Sequence, residues 1–120
     1  MHEFLLPVGL LDASPPSWYT LIGPPLRSSA YDGVPHPAPD GAAPRILVLE
    51  PGGASDAFLA EYAEDFGYIT DSWFATREAA VADADQRFGD LLGTWMPIPE
   101  TESHPETFAL RAVSPVTEHR

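Results

Sequence analysis

The sequence predicts an α+β fold: an antiparallel sheet of four to five strands with one helix, about residues 77–88, packed on one face. Three observations carry that prediction. Residues 57–63 and 68–74 alternate on either side of Glu64-Asp65-Phe66-Gly67, as the two arms of a hairpin do. Residues 77–88 then repeat apolar side chains at the helical period, behind a threonine suited to cap them. Upstream, Ile46-Leu47-Val48-Leu49 is an unbroken apolar run between turn-forming segments, the pattern of a strand covered on both faces. Alternation, turn chemistry, capping and helical period agree from Asp56 to Gly93, and such agreement marks a specified structure.

A chain of 120 residues suits one domain over 1–120, able to bury roughly two-thirds of its unfolded surface. With 44% hydrophobic residues, and Trp18, Trp73 and Trp95 among its aromatics, it lies outside the disordered class despite its charge. Eighteen acids against six bases give a net charge of −12, and every base is an arginine. Without lysine there is no Schiff base and no phosphate loop closing on Gly-Lys; without a basic patch, nucleic acids and anionic membranes are poor partners. A field of this sign speeds encounter with a basic protein and also keeps the chain soluble. Cysteine is absent, which excludes disulfides, thiol catalysis and thiolate zinc sites. The apolar stretch Phe4–Leu11 follows Glu3 rather than a base and is broken by Pro7 and Gly9, unlike a secretory signal. No apolar run approaches the ~20 residues of a membrane span, and a cytoplasmic location is expected.

Taken in order, Phe4–Leu11 fits either a short strand or an apolar arm. Beyond Asp12-Ala13-Ser14-Pro15-Pro16, residues Trp18-Tyr19-Thr20-Leu21-Ile22 read as a strand closed by Gly23-Pro24-Pro25. Residues 26–44 form a Pro-rich loop: Pro35, Pro37 and Pro39 remove alternate amide donors and favour an extended, polyproline-like surface segment. Ile46–Leu49 takes a central place in the sheet. Pro51–Ser55 is a turn that lacks the second glycine of a nucleophile elbow, since Ala57 stands there. In the hairpin, Ala63 opposite Tyr68 sets Phe58 against Trp73 and Tyr62 against Ile69. These aromatic and β-branched pairs mark their face as the core, while Leu59, Glu61, Tyr68, Thr70 and Ser72 fall on the other. Gly67 is the residue expected at positive φ in the hairpin loop.

Thr76 is the expected N-cap, with Glu78 favoured in the first turn by the helix dipole. Ala80, Val81, Ala84, Phe88, Leu91 and Leu92 share an arc of about 120°. Alanines at its start predict close packing of the helix on the Phe58/Trp73 face. Asp83 and Arg87 form an i,i+4 pair, and Gly89 or Gly93 ends the helix. Trp95, Met96 and Ile98 are expected to cover an open edge of the core. Thr107–Val113 reads as a final strand, and residues 114–120 as a frayed tail.

The acids are the most suggestive chemistry. Between Glu61 and Asp90 eight carboxylates face only Arg77 and Arg87, so a quarter of the chain carries half its net charge. Asp83 and Asp85 point about 160° apart around the helix and do not chelate one ion. His2, His36, His104 and His119 lack the spacing of a helical metal pair, and neither metal nor cofactor is expected. Glu61, Glu64, Asp65, Glu78 and Asp85 are the candidate partner-binding residues. Asp71, Trp73 and Trp95 are the candidate pocket, with Asp71 capping the residue 76–79 amides, accepting from an indole, or lying at a pocket rim.

Phe58-Leu59, Tyr62, Asp65, Asp71-Ser72-Trp73, Thr76, Ala80 and Phe88-Gly89, about a third of the chain, resemble a group of small uncharacterised actinobacterial proteins with a D-[ST]-W-x-x-T hairpin-helix motif. Absence of lysine and asparagine, with abundant Ala, Pro and Arg, fits a high-GC bacterial source. That group usually reads D-T-W-H here; Phe74 stands in place of its histidine. The resemblance implies a small α+β fold and no established activity. The leading functional expectation is a non-catalytic protein-binding module, immunity-like or antitoxin-like, that masks a basic partner with its acidic surface. The alternative is a small-ligand-binding or enzymatic domain with its pocket near Asp71, Trp73 and Trp95. A third is an accessory domain that pairs through Trp95 and the Pro-rich edge, so the chain is expected to be a monomer or a weak dimer.

Overall fold

A computed structural model describes residues 6–27 and 31–115. In chain order the elements are β1 (Trp18–Leu21), β2 (Ile46–Pro51), β3 (Ala57–Tyr62), β4 (Tyr68–Phe74), α1 (Arg77–Phe88), a 3-10 turn (Gly89–Leu91), β5 (Met96–Pro97) and α2 (Pro105–Val113). The strands form one antiparallel sheet of order β4-β3-β2-β1-β5. β2 is its middle strand, and Ile46, Leu47, Val48 and Leu49 have no exposed surface, as their unbroken apolar run requires.

The two sheet faces are covered by different helices. On one, α1 lays Ala80, Val81 and Ala84 against Trp18, Ile22, Leu47, Leu49, Ala57 and Leu59, with Trp95 and Leu10 completing the cluster. Thr76 caps α1 as expected: its Oγ1 accepts from the Ala79 amide at 3.1 Å, and Gly89, at φ 52°, ends the helix by donating to Asp85 O. Leu91 belongs to the 3-10 turn and is exposed, so the apolar stripe stops at Phe88 and resumes only with Leu92. On the opposite face α2 contacts β1 and β2, placing Ala109 with Val48, Ala60 and Ile98, and Leu110 with Ile46, Phe66 and Leu26.

Three expectations are overturned. Residues 107–113 are helical, within α2: Pro105 occupies the first turn, where its missing amide leaves no bond unmade, Glu106 complements the start and Arg111 the end. The helix α1 lies on the Leu59 face, not on the Phe58/Trp73 face. In β3 both faces are partly apolar, and the larger aromatics suggested the wrong one. Finally, Phe58↔Trp73 holds, but the pairing shifts between Glu61 and Tyr62, so that Tyr62 faces Tyr68 instead of Ile69. This bulge moves Tyr68 to the Tyr62 side, with the rings 5.8 Å apart and edge-on.

The hairpin loop departs too. Phe66, not Gly67, takes the positive φ, at 71°. Gly67 is needed for a different reason: a Cβ there would stand 2.7 Å from Ala38 Cα, because the Pro-rich loop runs against it. Ala38 N donates to Tyr68 O at 2.8 Å and Tyr68 N to His36 O at 2.9 Å, a one-residue parallel bridge on the outer edge of β4. Arg45 ties the far side of the loop down, donating to the carbonyls of Ile22 and Pro24 and pairing with Glu64 at 3.0 Å. At the N-terminal end, residues 6–16 form turns and not a strand, with Leu10 fully buried; residues 4 and 5 lie outside the described residues. The predicted tail likewise falls outside them from residue 116.

Candidate binding face

Because α2 lies over β1 and β2, the same face of β3 and β4 is left open. The register arranges it in rows across the sheet. Glu50, Phe58 and Trp73 form one row, Val48, Ala60 and Asp71 the next, and Ile46, Tyr62 and Tyr68 the third. Phe58, Tyr68 and Trp73 are 39%, 42% and 57% exposed, a group of large apolar side chains on one surface rather than isolated ones. Carboxylates surround them: Glu106, from the first turn of α2, stands within hydrogen-bonding reach of Glu50, and Asp71 stands close to both Glu50 and the Tyr68 hydroxyl. These acids do not converge as metal ligands; among the described residues no group of three or more His, Asp or Glu does so.

Crowding changes the acidity of Glu50. Its burial, then the neighbouring Glu106 and Asp71 carboxylates, push its pKa up to about 7. A carboxyl group whose folded pKa is raised above its unfolded one stabilises the fold most below the unfolded pKa, near 4.5, and loses that contribution as pH rises through 7. The melting temperature of the wild type relative to Glu50→Gln should therefore fall between pH 5 and pH 8 in thermal scans. A pH-independent difference would show that Glu50 is not crowded.

The turn from β2 to β3 anchors the tryptophan. Asp56 accepts from the Ala54 amide at 2.9 Å and from the Trp73 indole at 2.6 Å, and the indole bond is the main reason its carboxyl is held below the usual range. A Cβ on Gly52 would collide with that carboxylate at 2.3 Å, so the glycine is what lets Asp56 fold over the turn. The acceptor for the indole is thus Asp56, and Asp71 neither caps α1 nor receives a tryptophan.

The sequence-predicted sites are only partly assembled. Trp95 is buried on the α1 side, whereas Asp71 and Trp73 are on the other, so the sheet separates the three and they line no common pocket. Of the five partner-binding candidates, Glu61 is 4% exposed and faces inward, accepting from Arg87 Nη2 at 2.7 Å. Asp65 caps the Gly67 amide at the hairpin loop, and Glu64 pairs with Arg45 beside it. Glu78 and Asp85 lie on α1, on the far side of the sheet from Asp71. Sequence reasoning missed Glu50 and Glu106. The first lies at the end of an apolar run and the second just ahead of residues 107–113, which read as a strand; the Pro105 helix-start signal was the clue that could have found it.

A concavity of about 270 Å³ opens where Leu11, Ala13, Pro51, Asp56, Thr76 and Arg77 meet. It is not a credible anion site. Arg77 Nε donates to Leu10 O at 2.9 Å, and its Nη1 and Nη2, unpartnered among the described residues, are sealed from solvent rather than open to the concavity. No helix among the described residues is long and apolar enough to cross a membrane. Comparison with protein-family profiles, curated proteins and solved structures finds no match.

Proposed function

We propose that this is a non-catalytic protein-binding module whose open sheet face takes a basic partner, in the manner of immunity or antitoxin proteins that mask one. The observation that supports the reading most is the juxtaposition of exposed Phe58, Tyr68 and Trp73 with Glu50, Asp71 and Glu106 on a surface that no element of the described residues covers. Aromatic side chains supply apolar contact area and ring faces for arginine or lysine, and the carboxylates give the charge complement that sets partner choice and encounter rate. A net charge of −12 extends that attraction beyond the contact itself. This face replaces the dispersed set Glu61, Glu64, Asp65, Glu78 and Asp85 as the docking surface.

The test is selection of a random peptide library on the immobilised protein. Recovered sequences should be rich in arginine and lysine and should bind about tenfold more weakly when salt rises from 50 to 500 mM, as expected for charge attraction at an exposed surface. Asp71→Arg should abolish their binding while leaving the melting curve in place. Recovery of neutral or acidic sequences, or binding that ignores both salt and Asp71→Arg, overturns the reading.

A further inference from the structure

We infer that the partner enters as an added β-strand: an extended segment bearing arginine or lysine pairs with the outer edge of β4 between Thr70 and Phe74, its basic side chains meeting Asp71 and the exposed rings of Trp73 and Tyr68. The inference rests on the reading of this face as the docking surface for a basic protein and adds how that protein is held.

Four observations lead to it. β4 is the last strand of the sheet on its side and, at seven residues, the longest. An edge strand presents alternate backbone N–H and C=O groups outward, unpaired, and proteins ordinarily blunt such edges with proline, lysine or a covering segment. Thr70-Asp71-Ser72-Trp73-Phe74 contains neither proline nor lysine, and its aromatic and hydroxyl side chains favour pairing.

The edge already takes main-chain pairing at one residue, where the chain seats its own loop. His36 O accepts from the Tyr68 N–H and Ala38 N donates to the Tyr68 C=O, with Pro37 opposite Tyr68 between them. That cover then stops: Pro39 has no amide to donate, and the chain turns away with Ala42 N bonded to Pro39 O at 3.1 Å. Beyond Tyr68, no described residue outside β3 pairs with β4. An incoming strand would continue the line that residues 36–38 begin.

Charge decides between occupants. A second copy of this chain would bring Asp71 toward its counterpart with −12 on each side, whereas a basic segment sets its alternate side chains, at the spacing a strand presents to one face, along Trp73, Asp71 and Tyr68, giving one cation to the carboxylate and others to the rings. Main-chain bonds then supply affinity and the alternate side chains supply selectivity, as in other cases of strand addition.

The test uses a ten-residue peptide with arginine at every second position and threonine between, and a twin of equal charge with N-methyl groups on alternate backbone amides. The unmodified peptide should bind, and should slow amide hydrogen exchange in Thr70–Phe74 at least tenfold. The N-methylated twin should bind at least tenfold more weakly. If both peptides bind alike and the β4 amides stay unprotected, strand addition is overturned while the basic-partner reading stands. If neither binds although the protein melts normally, both fall. Protection of the same amides in the free protein that grows with its concentration would identify a second copy as the occupant and would also overturn the inference.

Discussion

Leu59→Ala should lower the unfolding free energy by roughly 3 kcal/mol, whereas Phe58→Ala, one residue earlier, should change it by less than about 1 kcal/mol. Leu59 is fully buried between β2 and α1, beside Leu49, Ala80 and Val81, and truncation there leaves a cavity that a close-packed alanine helix is poorly placed to fill. Phe58 is 39% exposed on the open face, where water replaces whatever the ring leaves. Urea denaturation of the two variants measures both effects. Side-chain size alone predicts the reverse order, so equal losses, or a larger loss for Phe58→Ala, would refute the assignment of the two faces.

Arg87→Ala should lose roughly 2–3 kcal/mol, an unusual amount for an arginine that is itself 38% exposed. The reason lies in its partner. Glu61 points from the turn-side end of β3 into the α1 side, beside Leu47, and Arg87 is the cation that reaches it, at 2.7 Å, while also bonding Asp83 at 2.9 Å. Removing the guanidinium leaves a carboxylate shut in against apolar side chains, the expensive half of a broken ion pair. The loss is smaller than for a fully buried pair because water reaches the Arg87 side. Replacing both residues, as Glu61→Leu with Arg87→Met, should restore most of the loss, since no charge is then stranded. A double-mutant cycle in urea separates the two contributions; a loss under about 0.5 kcal/mol for Arg87→Ala would show that Glu61 is otherwise satisfied.

The contrast between these two residues and the sequence reading shows where pattern succeeds. The middle strand, the hairpin arms, the Thr76 cap and the Asp83–Arg87 pair were legible because each rests on local chemistry: hydrophobic period, a hydroxyl placed to accept the first helical amides, and i,i+4 spacing. Which side of a strand faces a helix is not local. Ala57-Phe58-Leu59-Ala60 has apolar residues on both sides, and the choice is made by Leu47, Leu49 and Trp18, distant in sequence, which build the surface that α1 covers. The bulge at Glu61 and Tyr62 is likewise unannounced, and by carrying Tyr68 across the sheet it adds an aromatic to the open face. The candidate site was harder still. Asp71 and Trp73 share a face through the period of two in β4, but Trp95 lies across the sheet from them, and Glu50 and Glu106 come near only through strand pairing and the seating of α2.

The bare backbone at Gly67 has a reach beyond its own turn. A single methyl group there would strike Ala38 and lever the proline segment off its seat at Tyr68, lengthening the free margin of the sheet by the width of that contact. How much of the margin the chain keeps for itself, and how much it leaves to visitors, is therefore governed by one hydrogen atom standing where any other residue would carry carbon.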